Sequence, residues 1–330
     1  MSITKNIYYR IISLWIISEC VLGGIIHGIK IPISGLIVGS FSVICICLIA
    51  KYSKEENNII TGAILVSIFK FSLSPQSPFT AYVALYFQAI LGEFIFRKAN
   101  VSSFRIYLFS VICLLESGVQ RIIIMTIVYG KNFWLVLDET FKKIFSSNLF
   151  ISYSNLLIVV YIIIHIAVSI FIGYFIISFF NNFNNWKKEF LEIEFNLSNQ
   201  NSSIQKVNKK KSFINLYSIT WAALLLIYLI SYLTNFFNSL FTNILFQILV
   251  RSVFILLTWI LIILPILHYF FRKWISNKKE RYANQLNLIN TLLPLTQQII
   301  KCSWLYTKNL KGLARYKMFL KISLVKCLTT

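Results

Sequence analysis

Apolar residues in this chain come in long unbroken runs, not in the strict alternation of a half-buried strand. Eight such runs stand out, at 8–28, 31–50, 58–74, 79–97, 103–130, 155–180, 213–237 and 242–271. About 20 apolar residues, rising 1.5 Å each as a helix, cross the hydrocarbon of a bilayer. The pattern therefore predicts an all-α integral membrane protein with about eight transmembrane helices. The run at 58–74 is short, and those at 103–130 and 242–271 are long enough to tilt or project.

Between the runs the pattern changes in three places. In 132–150, Phe133, Trp134, Leu137, Phe141, Ile144 and Phe145 recur at helical spacing, with Asp138, Glu139, Lys142 and Lys143 elsewhere. That spacing predicts an amphipathic helix lying on the outer surface. The stretch 181–212 is polar and rich in Lys and Asn, and divides six runs from the last two. Beyond the eighth run, apolar residues return at helical intervals with Lys and Arg between them. Two basic amphipathic helices, hinged near Pro294 or Gly312, are expected there. The predicted organisation is a six-helix membrane domain (1–180), a basic cytoplasmic linker (181–212), a two-helix hairpin (213–274) and a cytoplasmic tail (275–330).

Charge fixes the sidedness of this layout. The 330 residues are 57% hydrophobic and 13% charged, yet the net charge is +21. With the N-terminus inside, 25 Lys and Arg fall on the inner side and four on the outer. Insertion bias predicts such a split, so the expectation is a multi-pass protein of the cell (inner) membrane with both termini cytoplasmic. The excess of cations is then a topology signal next to anionic lipid, and no nucleic-acid partner is expected. Lys5 and Arg10 ahead of an apolar run resemble a signal-peptide start. No small-residue cleavage site follows, so a retained first helix is expected. The six cysteines have no ligand or redox spacing and read as free thiols. Cys327-Leu328-Thr329-Thr330 matches a prenylation box only in position.

Ionisable residues within the runs are the candidates for chemistry, because charge is costly in hydrocarbon. Glu93 lies one turn before Arg97, and an i,i+4 pair accounts for it. His165 is alone on an apolar helix and reads as a packing residue, and His268 as interfacial. The remaining set is Glu19, His27, Lys70, Gln88, Glu116, Gln120 and Arg121. Glu116 and Gln120 share a helical face, and most of the set lies at middle or outer depth. These residues either line an outward-opening polar cavity or pair internally to fasten the bundle. In the cavity reading, Lys70, Arg121 and His27 hold an anionic group, Glu116, Gln120 and Gln88 hydrogen-bond the solute, and Glu19 lies close to mid-depth. No P-loop, H-E-x-x-H or G-x-S-x-G motif occurs, and three scattered histidines make a poor metal centre. Neither a cofactor nor an intrinsic catalytic activity is expected. Gly35 and Gly39, in a run rich in small residues, form a close-packing face.

In helix count, size and outer pocket, residues 1–180 resemble the substrate-binding S component of energy-coupling factor (ECF) transporters. Ser74–Pro78 and 131–153 would then be outer gating loops. The tail, from Leu293-Pro294-Leu295 to Gly312-Leu313-Ala314-Arg315-Tyr316, is similar to the coupling region of the T component. That region commonly ends in Ala-Arg-Gly. Ala314 and Arg315 match, Tyr316 replaces the glycine, and only two helices precede the tail. The resemblance implies a transport component that captures a small polar or anionic solute from outside. Ala314 and Arg315 would couple it to separate ATPase subunits, beside other membrane subunits and lipid. The alternative is a non-transport scaffold or regulatory protein that recruits a partner through its basic tail.

Overall fold

A computed structural model describes residues 3–24, 26, 33–53, 58–74, 77–97, 101–144, 152–191, 225 and 239–329. Among them every regular element is a helix and no strand occurs. In chain order these are α1 (Ile3–Ile17), continued by a π-helical turn (Ser18–Leu22), α2 (Ser34–Tyr52), α3 (Asn58–Leu73) and α4 (Phe79–Phe96). Then come α5 (Ser103–Tyr129), α6 (Asn132–Ile144), α7 (Tyr153–Leu191) and α8 (Ser239–Thr258). After a π-helical turn (Trp259–Ile263), α9 (Leu264–Arg281), α10 (Ala283–Tyr306) and α11 (Gly312–Thr329) complete the chain.

Five stretches are long and apolar enough to cross a membrane: Ser34–Tyr52, Phe79–Phe96, Ser103–Tyr129, Tyr153–Phe190 and Asn243–Arg281. The α3 helix is apolar but shorter. Exposed aliphatic and aromatic side chains cover α7 (Leu156, Val160, Ile163, Phe171) and α8 (Phe246, Val250, Phe254). Surfaces of that kind are unfavourable in water and suit a hydrocarbon solvent. The run predicted at 213–237, Leu225 apart, and most of the 181–212 linker lie outside the described residues, but α7 continues to Leu191, past its predicted end at 180.

The helices cluster into two compact units. The first comprises Met1–Leu114, Ala167–Asn208 and Asn277–Thr330, and the second Leu115–Ile166 and Lys209–Ser276. Packing thus groups the carboxyl-terminal helices with the amino-terminal ones. Within the first unit α1 is central, packed against α10, α2, α11 and α3. Its Ile11, Ile12, Trp15 and Ile16 are buried in a core with Ile46, Ile49, Leu65, Phe109, Ile289 and Ile322. Glu93 of α4 accepts a hydrogen bond from the Ile59 backbone N–H at 3.2 Å, capping the amino end of α3. A carboxylate there satisfies an orphan donor and suits the helix dipole.

The tail is a helical hairpin, and its apolar stripe is not left free. Ile289, Leu293 and Ile299 of α10 and Ile322–Leu328 of α11 are buried. The turn comes at Thr307–Gly312, where Gly312 has φ +60°, a conformation suited to glycine. Pro294 lies inside α10, whose helical assignment runs on through it.

The second unit has its own core of Val128, Tyr129, Val136, Leu245, Ile248 and Leu249, where α6 packs on α8. Asp138 of α6 caps the start of α7. It accepts from the Ser154 N–H at 2.6 Å and from the Ser152 and Ser154 hydroxyls at 3.0 Å. The predicted amphipathic helix is therefore tied to its neighbours by packing and by a cap.

Candidate functional site

The first unit gathers its polar residues around Glu19. This residue sits in the π-helical turn that follows α1, where a wider turn changes the direction in which side chains leave the helix. Lys70 of α3 donates to Glu19 Oε2 at 2.6 Å. Ser42 of α2 donates its hydroxyl to Oε1 at 2.5 Å, and Trp15 Nε1 donates to Ser42 Oγ at 3.0 Å. Both carboxylate oxygens are therefore occupied. The pair is almost fully sealed, with Lys70 1% and Glu19 4% exposed.

Tyr82 borders the pair, and further polar side chains are buried elsewhere in α2–α4. The Lys70 ammonium lies 5.4 Å from the centroid of the Tyr82 ring, a cation–π arrangement. Tyr86 and Ser67 share a hydrogen bond of 2.6 Å. Gln88 of α4 is buried, and a methyl group on Gly39 would sit 3.2 Å from its Nε2. The expected close-packing glycine thus gives room to a polar side chain.

Glu116, Gln120 and Arg121 belong to the second unit, and His27 lies outside the described residues. Oε2 of Glu116 is shielded from solvent and has no hydrogen-bond partner among the described residues. Nearby, His165 is buried, its Nδ1–H donates to the Tyr161 carbonyl at 2.8 Å, and its ring packs on Gly118. His165 is a satisfied packing residue of α7.

In the tail, the Arg315 guanidinium stacks 4.0 Å from the Trp304 ring centroid, and its Nε has no hydrogen-bond partner among the described residues. Ala314 is exposed and Leu313 is 87% exposed, so the hairpin tip presents both apolar and cationic groups. Farther along α11, the Lys321 ammonium lies 4.1 Å from the Trp186 ring centroid, and desolvation, then the neighbouring Lys317, lower its pKa. Burial pushes the Cys327 thiol up to about 12, against the opposing pull of Arg10. A buried neutral thiol of this kind is unreactive.

Among the described residues no group of three His, Cys, Asp or Glu is placed to hold a metal ion. Trp15, Ser42 and Tyr82 were not singled out from the sequence. Trp15 precedes Glu19 by four residues and so shares its helical face, which was a legible signal. Ser42 had only the signal of a small residue, and Tyr82 that of an aromatic in an apolar run. The chain matches no protein-family model, no curated protein and no solved structure.

Proposed function

We propose that the chain is a membrane component of a transporter, capturing a small solute from outside and coupling to a separate ATPase through the α10–α11 hairpin. One observation carries the reading. Helix α1 leads directly into the turn that holds Glu19, and it is also the helix on which α10 and α11 pack. A push on the hairpin is therefore delivered to the helix that leads into the polar cluster. Side chains in such cores are close-packed and transmit displacement with little give.

In this reading the protein has eight spans: α1, α2, α3, α4, α5, α7, the run at 213–237, and the α8–α9 segment. The positive-inside split of 25 to four supports an orientation with both termini on the cytoplasmic side of the cell (inner) membrane. The hairpin tip then faces the cytoplasm. No acidic residue follows Glu280, so the tip complements an acidic docking surface with an apolar groove.

The test is capture of partners on the full chain in mild detergent. An ATPase should co-purify with the native protein, and be lost when Leu313→Glu or Arg315→Glu is introduced. A native chain that retains no ATPase sinks the coupling reading. A second reading, the scaffold, is favoured by the saturation of Lys70 by Glu19. It predicts a partner bound through the tail and no solute bound in the membrane.

A further inference from the structure

The Glu19–Lys70 pair restricts what a captured solute can be. Each side chain is more than nine-tenths buried, and each is the other's counter-ion. A solute that engaged only Lys70 would strand the Glu19 carboxylate, and one that engaged only Glu19 would strand the ammonium. A stranded charge, away from water and in a membrane-spanning region, is the most unfavourable state open to the cluster. A solute carrying both signs replaces both contacts and leaves the net charge of the site unchanged.

We infer that this cluster binds a small zwitterion of the amino-acid type, its carboxylate on Lys70 and its ammonium on Glu19. The inference rests on the solute-capture reading and narrows its substrate class from small polar or anionic to zwitterionic. The bordering groups suit it. The Tyr82 ring holds the Lys70 ammonium, the group that receives the solute's carboxylate, by a cation–π contact. Ser42 accepts from Trp15 and donates to Glu19, so it holds the carboxylate in place while Lys70 is exchanged.

The experiment uses the full-length protein in detergent and three pools of probes with identical side chains. The first holds the free amino acids, which carry both charges at pH 7. The second holds their N-acetyl derivatives, with the carboxylate alone, and the third their methyl esters, with the ammonium alone. Binding is read by equilibrium dialysis with mass-spectrometric identification. The expected result is retention from the first pool only, at least tenfold weaker in Lys70→Met and in Glu19→Gln. The double exchange Glu19→Lys with Lys70→Glu keeps a neutral pair, and so keeps the fold, but reverses the polarity. It too should lose the ligand by tenfold or more. Retention of an N-acetyl derivative or an ester as strongly as of a free amino acid overturns the inference, as does undiminished binding by the exchanged pair. If no pool binds while an ATPase still co-purifies, the zwitterion assignment falls and the transport reading stands. If neither is found, both fall.

Discussion

Glu19 and Glu116 sit on apolar helices of two different units, and the two units treat them in opposite ways. In the first, Lys70 and Ser42 occupy both oxygens of Glu19, and Trp15 in turn holds Ser42. In the second, Glu116 Oε2 has no hydrogen-bond partner among the described residues. The residues that follow Glu116 on its face of α5 include Val119, Ile123 and Ile127, all exposed. Glu19 is buried and Glu116 half-buried, and the two acids differ also in what neighbouring helices aim at the carboxyl. The first unit converges three helices on one acid, whereas in the second the exposed residues on the acid's own helical face are aliphatic.

The largest expected effect comes from breaking the first arrangement on one side only. Lys70→Met should destabilise the protein by about 3–5 kcal/mol, because it leaves Glu19 buried without its counter-ion. The double variant Glu19→Gln with Lys70→Met removes both charges and should recover most of that loss. Unfolding by SDS titration in mixed micelles measures both. A single variant no worse than the double one would mean that Glu19 is not a compensated charge, and the comparison would collapse.

Packing provides the next contrast. A methyl group on Gly92 of α4 would fall 2.6 Å from Ile46 Cγ2 and 3.4 Å from the Phe109 ring. Gly92→Ala should therefore cost about 1–3 kcal/mol through overpacking. In the second unit, Gly118→Ala would meet the flat His165 ring at 3.0 Å, a clash that a small tilt relieves. Its cost should be the smaller of the two in the same titration. Equal costs would mean that the second unit is packed as tightly around Gly118 as the first is around Gly92.

Most of the helices were legible because a membrane span is written in length and apolarity alone. The ends predicted for α3, α4 and α5 lie within one residue of those observed. The packing of α10 and α11 on α1 was not legible, since an amphipathic stripe shows that a face will be covered without showing by what. The site divides in the same way. Depth and charge singled out Glu19 and Lys70, which the fold joins. Glu116, Gln120 and Arg121 had the same signals, yet the fold assigns them to another unit. Partner choice depends on helix rotation and on the π-helical turn at Glu19, and neither leaves a periodic trace in the sequence.

A smaller effect tests whether the second unit depends on charge anywhere. Asp138 accepts three hydrogen bonds at the start of α7. Asp138→Ala should cost about 1 kcal/mol, the usual range for losing such a cap. Asp138→Asn should recover part of it, because one amide oxygen still accepts. Amide hydrogen exchange in the first turn of α7 localises the change, which a global loss of structure would not confine there.

The smallest expected effect is at Glu116 itself. Glutamine has the same shape as glutamate, carries no charge and both donates and accepts. Glu116→Gln removes a carboxyl whose Oε2 makes no hydrogen bond among the described residues, so little favourable interaction is lost. Desolvating a neutral amide is also less costly than desolvating a carboxylate. The variant should be as stable as the parent or more stable by up to about 1 kcal/mol. Glu19→Gln, the same chemical change in the first unit, should be destabilising because it strands Lys70. Two identical substitutions with opposite signs would locate the difference between the units in their counter-ions and not in the acid. A loss at Glu116 as large as that at Glu19 would show that the second unit compensates its acid as well, and the contrast between the two units would no longer hold.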